Sequence, residues 1–180
     1  HEQLLSGNLV TAVRSRTPWL FVTMLGSICA VLIGNAFNAT IYEVPILAIF
    51  MPLLGGLGGN VGTQSSAMVV RGLATGHLDA NKAMGYILNQ LLTGMIIGLL
   101  FGLLVGTMVY FWKHNPWFGI ILACGLFANI TIGATLGTVV PILLKRLNRD
   151  PAIASGPFIS TAIDITGLTI YFGFATLALV

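Results

Sequence analysis

The chain has 180 residues, of which 56% are hydrophobic and only 7% are charged, and its formal net charge is +3. Soluble domains carry about 25% charged residues, so this composition cannot supply a water-facing surface over most of the protein. It excludes an ordinary soluble domain and predicts a chain surrounded by lipid, for which a nucleic-acid partner is not expected.

Five long segments with almost no charge predict five transmembrane helices. A hydrocarbon core about 30 Å thick requires about 20 apolar residues in a helix. The predicted fold class is therefore an all-α membrane protein, with a cytoplasmic lead-in over residues 1–17 and one five-helix domain over residues 18–180. In chain order, the predicted spans cover residues 18–37, 45–70, 83–111, 117–144 and 157–180.

The positions of the basic residues predict the orientation of these spans. Cytoplasmic loops of membrane proteins carry an excess of Lys and Arg. A cytoplasmic N-terminus places seven of the eight basic residues inside and leaves only Lys113 outside. We therefore predict a multi-pass protein of the cell membrane with an extracytoplasmic C-terminus. The seven inside residues are Arg14, Arg16, Arg71, Lys82, Lys145, Arg146 and Arg149.

The second predicted span contains a glycine-rich run over residues 52–66, with five glycines and one proline. Glycine and proline weaken a regular helix, and irregular backbone at membrane depth is tolerated where it lines water or is buried in protein. The run predicts a broken helix whose carbonyls offer neutral oxygens to an ion, together with the side chains of Asn60, Thr63, Gln64, Ser65 and Ser66. The alternative is a kinked, tightly packed helix.

Small residues recur every fourth position in the third and fourth predicted spans. Such stripes allow close approach between membrane helices, so we interpret them as scaffold or dimer contacts. Asn129, on the second stripe, is expected to form an interhelical hydrogen bond. Cys29 and Cys124 lie in apolar stretches and are predicted to be small core residues rather than a disulfide pair. The stripes are Gly94, Gly98, Gly102 and Gly106, and Gly125, Asn129, Gly133 and Gly137.

Asp164 is the one charged residue in the fifth predicted span. A carboxylate at mid-membrane costs about 2.5–3.5 kcal/mol on insertion scales and usually faces a polar cavity or an ion. Helical spacing places Gly156, Ser160 and Asp164 on one face. An Asp near the membrane edge, wet from one side, is the alternative. Asp150 would lie near the cytoplasmic mouth, where a surface or capping role is equally expected.

One carboxylate with neutral oxygens is a hard-ligand set, which suits Mg²⁺, Ca²⁺ or Mn²⁺ better than soft metals. Two-fold symmetry, the commonest in oligomers, would bring a second Asp164 to the same axis. Two carboxylates match the charge of one divalent ion. Because Mg²⁺ keeps several of its waters, the expected site contacts a largely hydrated ion.

The motifs that carry these features resemble the transmembrane domain of the MgtE family of magnesium channels, which is related to the animal solute-carrier 41 transporters. The resemblance spans essentially the whole chain. It rests on residues 52–64 and 69–74 of the second span, and on residues 150–152, 155–158, 164, 167–168 and 171–172 around the fifth.

The resemblance implies a homodimer with a central pore lined by the second and fifth spans. It implies that Asp164 binds hydrated Mg²⁺, the transported ion, and that Asp150 lies at the cytoplasmic entrance. Family members usually carry cytoplasmic N and CBS domains, joined through a connecting helix whose end would be residues 1–17. We expect those domains to be absent from this chain. The other implied site residues are Asn60, Gly58, Gly59, Thr63, Gln64, Gly156 and Ser160.

Three other functions remain as alternatives to a magnesium channel. Broken helices and one buried acid are also typical of secondary transporters, so an exchanger of divalent cations coupled to H⁺ or Na⁺ is the first. A structural or assembly subunit without a pore is the second. An enzyme is the least expected, because the sequence offers no pairing of a nucleophile with a base.

Overall fold

The computed structural model describes residues 9–153 and 156–179, and within these ranges the chain folds into helices and short connections without β-strands. Five of the helices within these ranges are long and apolar enough to cross a membrane, which confirms the predicted all-helical membrane fold. Residues 1–8 of the predicted lead-in lie outside the described residues, as does Val180 at the end of the fifth predicted span.

The long helices begin and end where the sequence carries capping signals. Asn115 precedes α6 and its side chain accepts a hydrogen bond from the Trp117 amide at 3.0 Å, with Pro116 in the first turn. His114 ends α5 in the left-handed region, at φ 52°. The helices are α1 (Leu9–Ala36), α2 (Asn38–Glu43), α3 (Ile46–Ile49), α4 (Met51–Ala74), α5 (Met84–Lys113), α6 (Pro116–Arg146) and α7 (Gly156–Leu179), with 3₁₀ turns at Ala80–Lys82 and Pro151–Ile153.

Helix α1 is longer than the first predicted span. It begins by Leu9 and continues through Pro18, where the span was predicted to begin. An uncharged run marks the part of a helix that lies in lipid, whereas the helix itself continues into the polar region. The described part of the lead-in is therefore continuous with the first membrane helix. Gly26 of α1 packs against the side chain of Thr161 in α7.

The prediction of irregular backbone within the glycine-rich run was wrong. Residues 51–74 form one continuous α-helix, and the interruption lies earlier, at Phe50, between α3 and α4. Pro52 is in the first turn of α4, where its missing amide proton breaks no helical hydrogen bond. Gly58 and Gly62 are in close contact with Gly133 and Gly137 of α6, and this packing offsets the weak helix propensity of the run.

Helix α6 lies at the centre of the bundle and contacts α4, α5 and α7. The glycine stripe of α5 packs on one side of it, so that a methyl group at Gly102 would lie 2.7 Å from the Ala123 carbonyl oxygen. The small residues of α6 face α4 and α7, and a methyl group at Gly133 would lie 2.6 Å from the Gly58 carbonyl oxygen. Both stripes are therefore scaffold contacts within one chain.

The largest apolar core surrounds Tyr171 and Phe172 of α7, both fully buried. The Tyr171 hydroxyl donates a hydrogen bond to the Leu47 carbonyl oxygen at 3.2 Å, which anchors α3 just before the interruption at Phe50. Thr40 of α2 and Thr176 of α7 are linked at 2.7 Å between their hydroxyl oxygens. These contacts hold α2 and α3, the segment that leads into α4, against α7.

Cys29 and Cys124 are unpaired and exposed on the surfaces of α1 and α6. The absence of a disulfide between them stays a prediction, whereas the prediction that they are core residues was wrong. In a membrane bundle an apolar stretch is compatible with either the interior or the outer surface, so hydrophobic neighbours do not indicate burial.

Candidate ion site

Helices α4 and α7 run antiparallel and pack along two matched stripes with a spacing of four residues. A methyl group at Gly55 would lie 3.0 Å from Oδ1 of Asp164, and one at Gly59 would lie 3.6 Å from Cβ of Ser160. A third pair follows at the same spacing, because a methyl group at Gly156 would lie 3.5 Å from Cγ2 of Thr63. We call these three pairs the α4–α7 ladder. The stripe predicted from sequence on α7 thus faces an equivalent stripe on α4.

Asp164 lies well inside the membrane-spanning part of α7. It is eight residues beyond Gly156, or about 12 Å along a helix that rises 1.5 Å per residue. Its Oδ1 atom is buried and has no hydrogen-bond partner in the part of the chain that the structure describes. An unpaired buried carboxylate oxygen is costly, so this atom requires a ligand, a water or a proton.

The two hydroxyl groups of the ladder present acceptor oxygens. Ser160 donates its proton to the Pro157 carbonyl at 3.2 Å, and Thr63 donates its own to the Asn60 carbonyl at 3.0 Å. A hydroxyl that donates to its own helix keeps its lone pairs for other donors. These oxygens can therefore accept hydrogen bonds from the waters of a hydrated cation.

Asn60 and Gln64 lie on the outer surface of α4, and both side chains are exposed in the single chain. Gly59 is buried against Ser160 and belongs to the ladder. Gly58 does not lie with the other predicted pore-lining residues. It is buried, and a methyl group there would collide with the Asn129 side chain of α6.

Asp150 lies apart from this ladder, in the connection between α6 and α7. It is exposed, and its Oδ1 accepts a hydrogen bond from the Ala152 amide at 2.9 Å. The side chain thereby caps the 3₁₀ turn Pro151–Ile153. The capping role is therefore present, and the second carboxylate oxygen remains available to solvent.

Gly55 is the ladder residue that sequence reasoning did not select. It lies inside the glycine-rich run, but only its register with α7 distinguishes it from Gly56, whose Cβ position is open. The spacing of four that links Gly55, Gly59 and Thr63 was a usable signal, since the same spacing was recognised on α7.

Comparison with known proteins identifies the family to which these helices belong. The model of the MgtE family, described as a divalent cation transporter, matches residues 51–174. That range is more than half of the chain and contains the whole α4–α7 ladder. The chain belongs to the MgtE family. Its similarity to MgtE proteins is therefore carried by the helices that build the candidate site.

Individual relatives of the MgtE family extend the similarity over nearly the whole chain. The chain is 38% identical to the magnesium transporter MgtE of Bacillus subtilis strain 168 over 165 residues, or 92% of its length. It is 38% identical to that of Enterococcus faecalis over 173 residues and 33% identical to that of Thermus thermophilus over 165 residues. It covers 36–38% of the length of these relatives.

Proposed function

We propose that this chain is the pore domain of a magnesium channel, in which two copies conduct hydrated Mg²⁺ along a shared axis lined by α4 and α7. The observation that carries the proposal is the buried Oδ1 of Asp164, which has no hydrogen-bond partner among the described residues and lies against Gly55 at membrane depth. A carboxylate in this position is stabilised if a cation and its waters lie beside it.

The exposed amides of α4 support a homodimer. Asn60 and Gln64 are one helical turn apart on a helix that crosses the membrane. An amide transferred to hydrocarbon without hydrogen bonds costs about 4–8 kcal/mol on cyclohexane scales, so lipid is a poor neighbour for this surface. A second copy enclosing a water-filled path between the two α4 helices would cover it.

A pair of Asp164 side chains suits a divalent ion better than a single one does. Asp164 is the only Asp or Glu within the five long helices that the structure describes, so one copy supplies a single carboxylate to the membrane-spanning part of the bundle. Two carboxylates would neutralise one Mg²⁺. The hydroxyls of Ser160 and Thr63 and the amide of Asn60 would then bind its retained waters.

The distribution of charge supports the orientation of this pore in the cell membrane. The N-terminus and residues 1–17 would be cytoplasmic, and the connection that carries Asp150 would form the cytoplasmic mouth. Mg²⁺ would then enter from the extracytoplasmic side, pass the Asp164 pair and leave beside Asp150. The inside-negative membrane potential would drive this import without a coupled ion.

A flux assay separates a channel from a coupled exchanger. The purified chain would be reconstituted into liposomes that contain a Mg²⁺ indicator, with identical pH and Na⁺ on both sides. We expect external Mg²⁺ to enter when a K⁺ gradient with valinomycin sets an inside-negative potential. Protein-free liposomes provide the control for leakage.

Mg²⁺ entry that requires a H⁺ or Na⁺ gradient, and is absent with potential alone, would contradict the channel and favour the exchanger. The absence of Mg²⁺ flux under every gradient, with the folded dimer present, would contradict both.

A further inference from the structure

Asn129 of α6 lies where α4, α6 and α7 meet, and its side chain is 1% exposed. Its Nδ2 donates a hydrogen bond to the Leu54 carbonyl oxygen of α4 at 2.6 Å, which confirms the predicted interhelical bond. The same amide lies against the backbone of Gly58 and Gly167. A methyl group at either glycine would lie 2.6–2.7 Å from the amide carbon of Asn129.

These contacts fall on the same helical turns as the candidate ion site. Leu54 directly precedes Gly55, which faces the Asp164 carboxylate. Gly167 follows Asp164 by one turn on α7. One side chain of the central helix therefore touches both helices of the ladder at the level of the ion site. This amide is therefore placed to influence the axial position of α4 relative to α7.

The contacts are specific to an amide of this size. The amide donates to the Leu54 carbonyl, and the two glycines leave no space for a larger side chain. The Oδ1 atom of Asn129 is buried without a hydrogen-bond partner among the residues that the structure describes. A residue needed only to fill space would not leave a buried polar atom unpaired, because an apolar side chain would fill the space at lower cost.

We propose that Asn129 is a positioning residue for the ion site, which sets the register of Gly55 against Asp164 and thereby the affinity for Mg²⁺. This inference rests on the proposed function, since it assigns Asn129 a part in the same pore. Asn129 does not contact the ion. It acts through Leu54 and Gly167, much as groups outside the ligand shell of a metal site orient the ligands.

A small change of register is sufficient to alter affinity. A slip of one residue moves a helix by about 1.5 Å along its axis, which exceeds the tolerance of a site that holds an ion through ordered waters. Loss of partners outside the ligand shell typically lowers metal affinity about 10–100-fold. The pore itself would remain open, so the maximal rate of conduction is expected to change far less than the affinity.

The test compares Asn129→Leu and Gly167→Ala with Gly173→Ala in the liposome assay. Asn129→Leu keeps the branched shape of the side chain, with bulkier methyl groups, and removes the donor, whereas Gly167→Ala keeps the donor and places a methyl group against the amide. Gly173 lies on the same helix as Gly167, and its Cβ position is open. We expect the first two variants to raise the half-saturating Mg²⁺ concentration about tenfold or more, with maximal flux retained. Gly173→Ala should match the wild type.

A purely structural role would lower the amount of folded dimer, and with it the maximal flux, without changing the half-saturating concentration. That result in either folded variant would overturn the proposal, so Gly167→Ala decides the question if Asn129→Leu does not fold. Asp164→Asn in the same assay separates the two proposals. If it is inactive while the Asn129 and Gly167 variants have wild-type affinity, only the positioning role fails. If it conducts like the wild type, the proposed pore fails.

Discussion

Replacing Asp164 with Asn is expected to reduce Mg²⁺ entry to the level of protein-free liposomes. The amide has nearly the same shape and volume as the carboxylate, so the packing against Gly55 is retained. The change removes the negative charge from both copies of a dimer, which would leave the pore without the charge that attracts and holds a hydrated divalent ion. Asp164→Ala should give the same loss of flux.

The measurement is Mg²⁺ uptake normalised to folded dimer, the latter determined by size-exclusion chromatography and thermal unfolding in detergent. Asp79→Asn is the matched control, because Asp79 is an exposed acid outside the long helices. Its side chain caps a 3₁₀ turn through the Asn81 amide, and an Asn oxygen can accept the same bond. The control should conduct normally. Wild-type flux through a folded Asp164 variant would contradict the role of this carboxylate.

Replacing Gly133 with Ala is expected to destabilise the protein by about 1–3 kcal/mol, the usual cost of forcing extra volume into a packed interior. The added methyl group would lie 2.6 Å from the Gly58 carbonyl oxygen, which is backbone and cannot move without α4. Because α4 also carries Gly55 and Gly59, the displacement should lower Mg²⁺ flux as well as the temperature of thermal unfolding.

Gly85→Ala provides the comparison for this variant. Gly85 is in the first turn of α5 and its Cβ position is open, so Ala should be neutral or stabilise the helix by up to about 1 kcal/mol. Equal unfolding temperatures for the Gly133 and Gly85 variants would show that α4 and α6 are not in backbone contact at this point.

The helices could be predicted from sequence because charge is expensive in lipid. The third, fourth and fifth predicted spans end within two residues of α5, α6 and α7. The interhelical bond of Asn129 could also be expected, since a buried amide in lipid has few partners other than another helix. In both cases a local sequence feature, an uncharged run or a buried amide, has only one arrangement of low energy in lipid.

The backbone of the glycine-rich run could not be predicted in the same way. Glycine lowers helix propensity, but Gly58 and Gly62 are opposed by Gly133 and Gly137 of α6, which lie more than 70 residues later in the chain. Tertiary contact between these stripes decides in favour of a regular helix. Local propensity contains no information about the partner.

The sequence predicts only in part which neighbouring helix each site residue faces. A spacing of four identifies Gly156, Ser160 and Asp164 as one face of α7, and the structure opposes this face to α4. The same run of α4 supplies residues to two different interfaces: Gly59 faces α7, whereas Gly58 faces Asn129 of α6. Consecutive glycines look equivalent in a sequence, and only the crossing of the helices separates their roles.

The position of a divalent ion relative to Asp164 is the most direct test of the proposed pore. Mn²⁺ can replace Mg²⁺ among oxygen ligands and is located by its anomalous X-ray scattering. In crystals of the dimer soaked with Mn²⁺, we expect a peak on the two-fold axis between the two Asp164 carboxylates, weakened by added Mg²⁺. A dimer in which these carboxylates face lipid or bulk water, with no ion between them, would contradict the proposed pore.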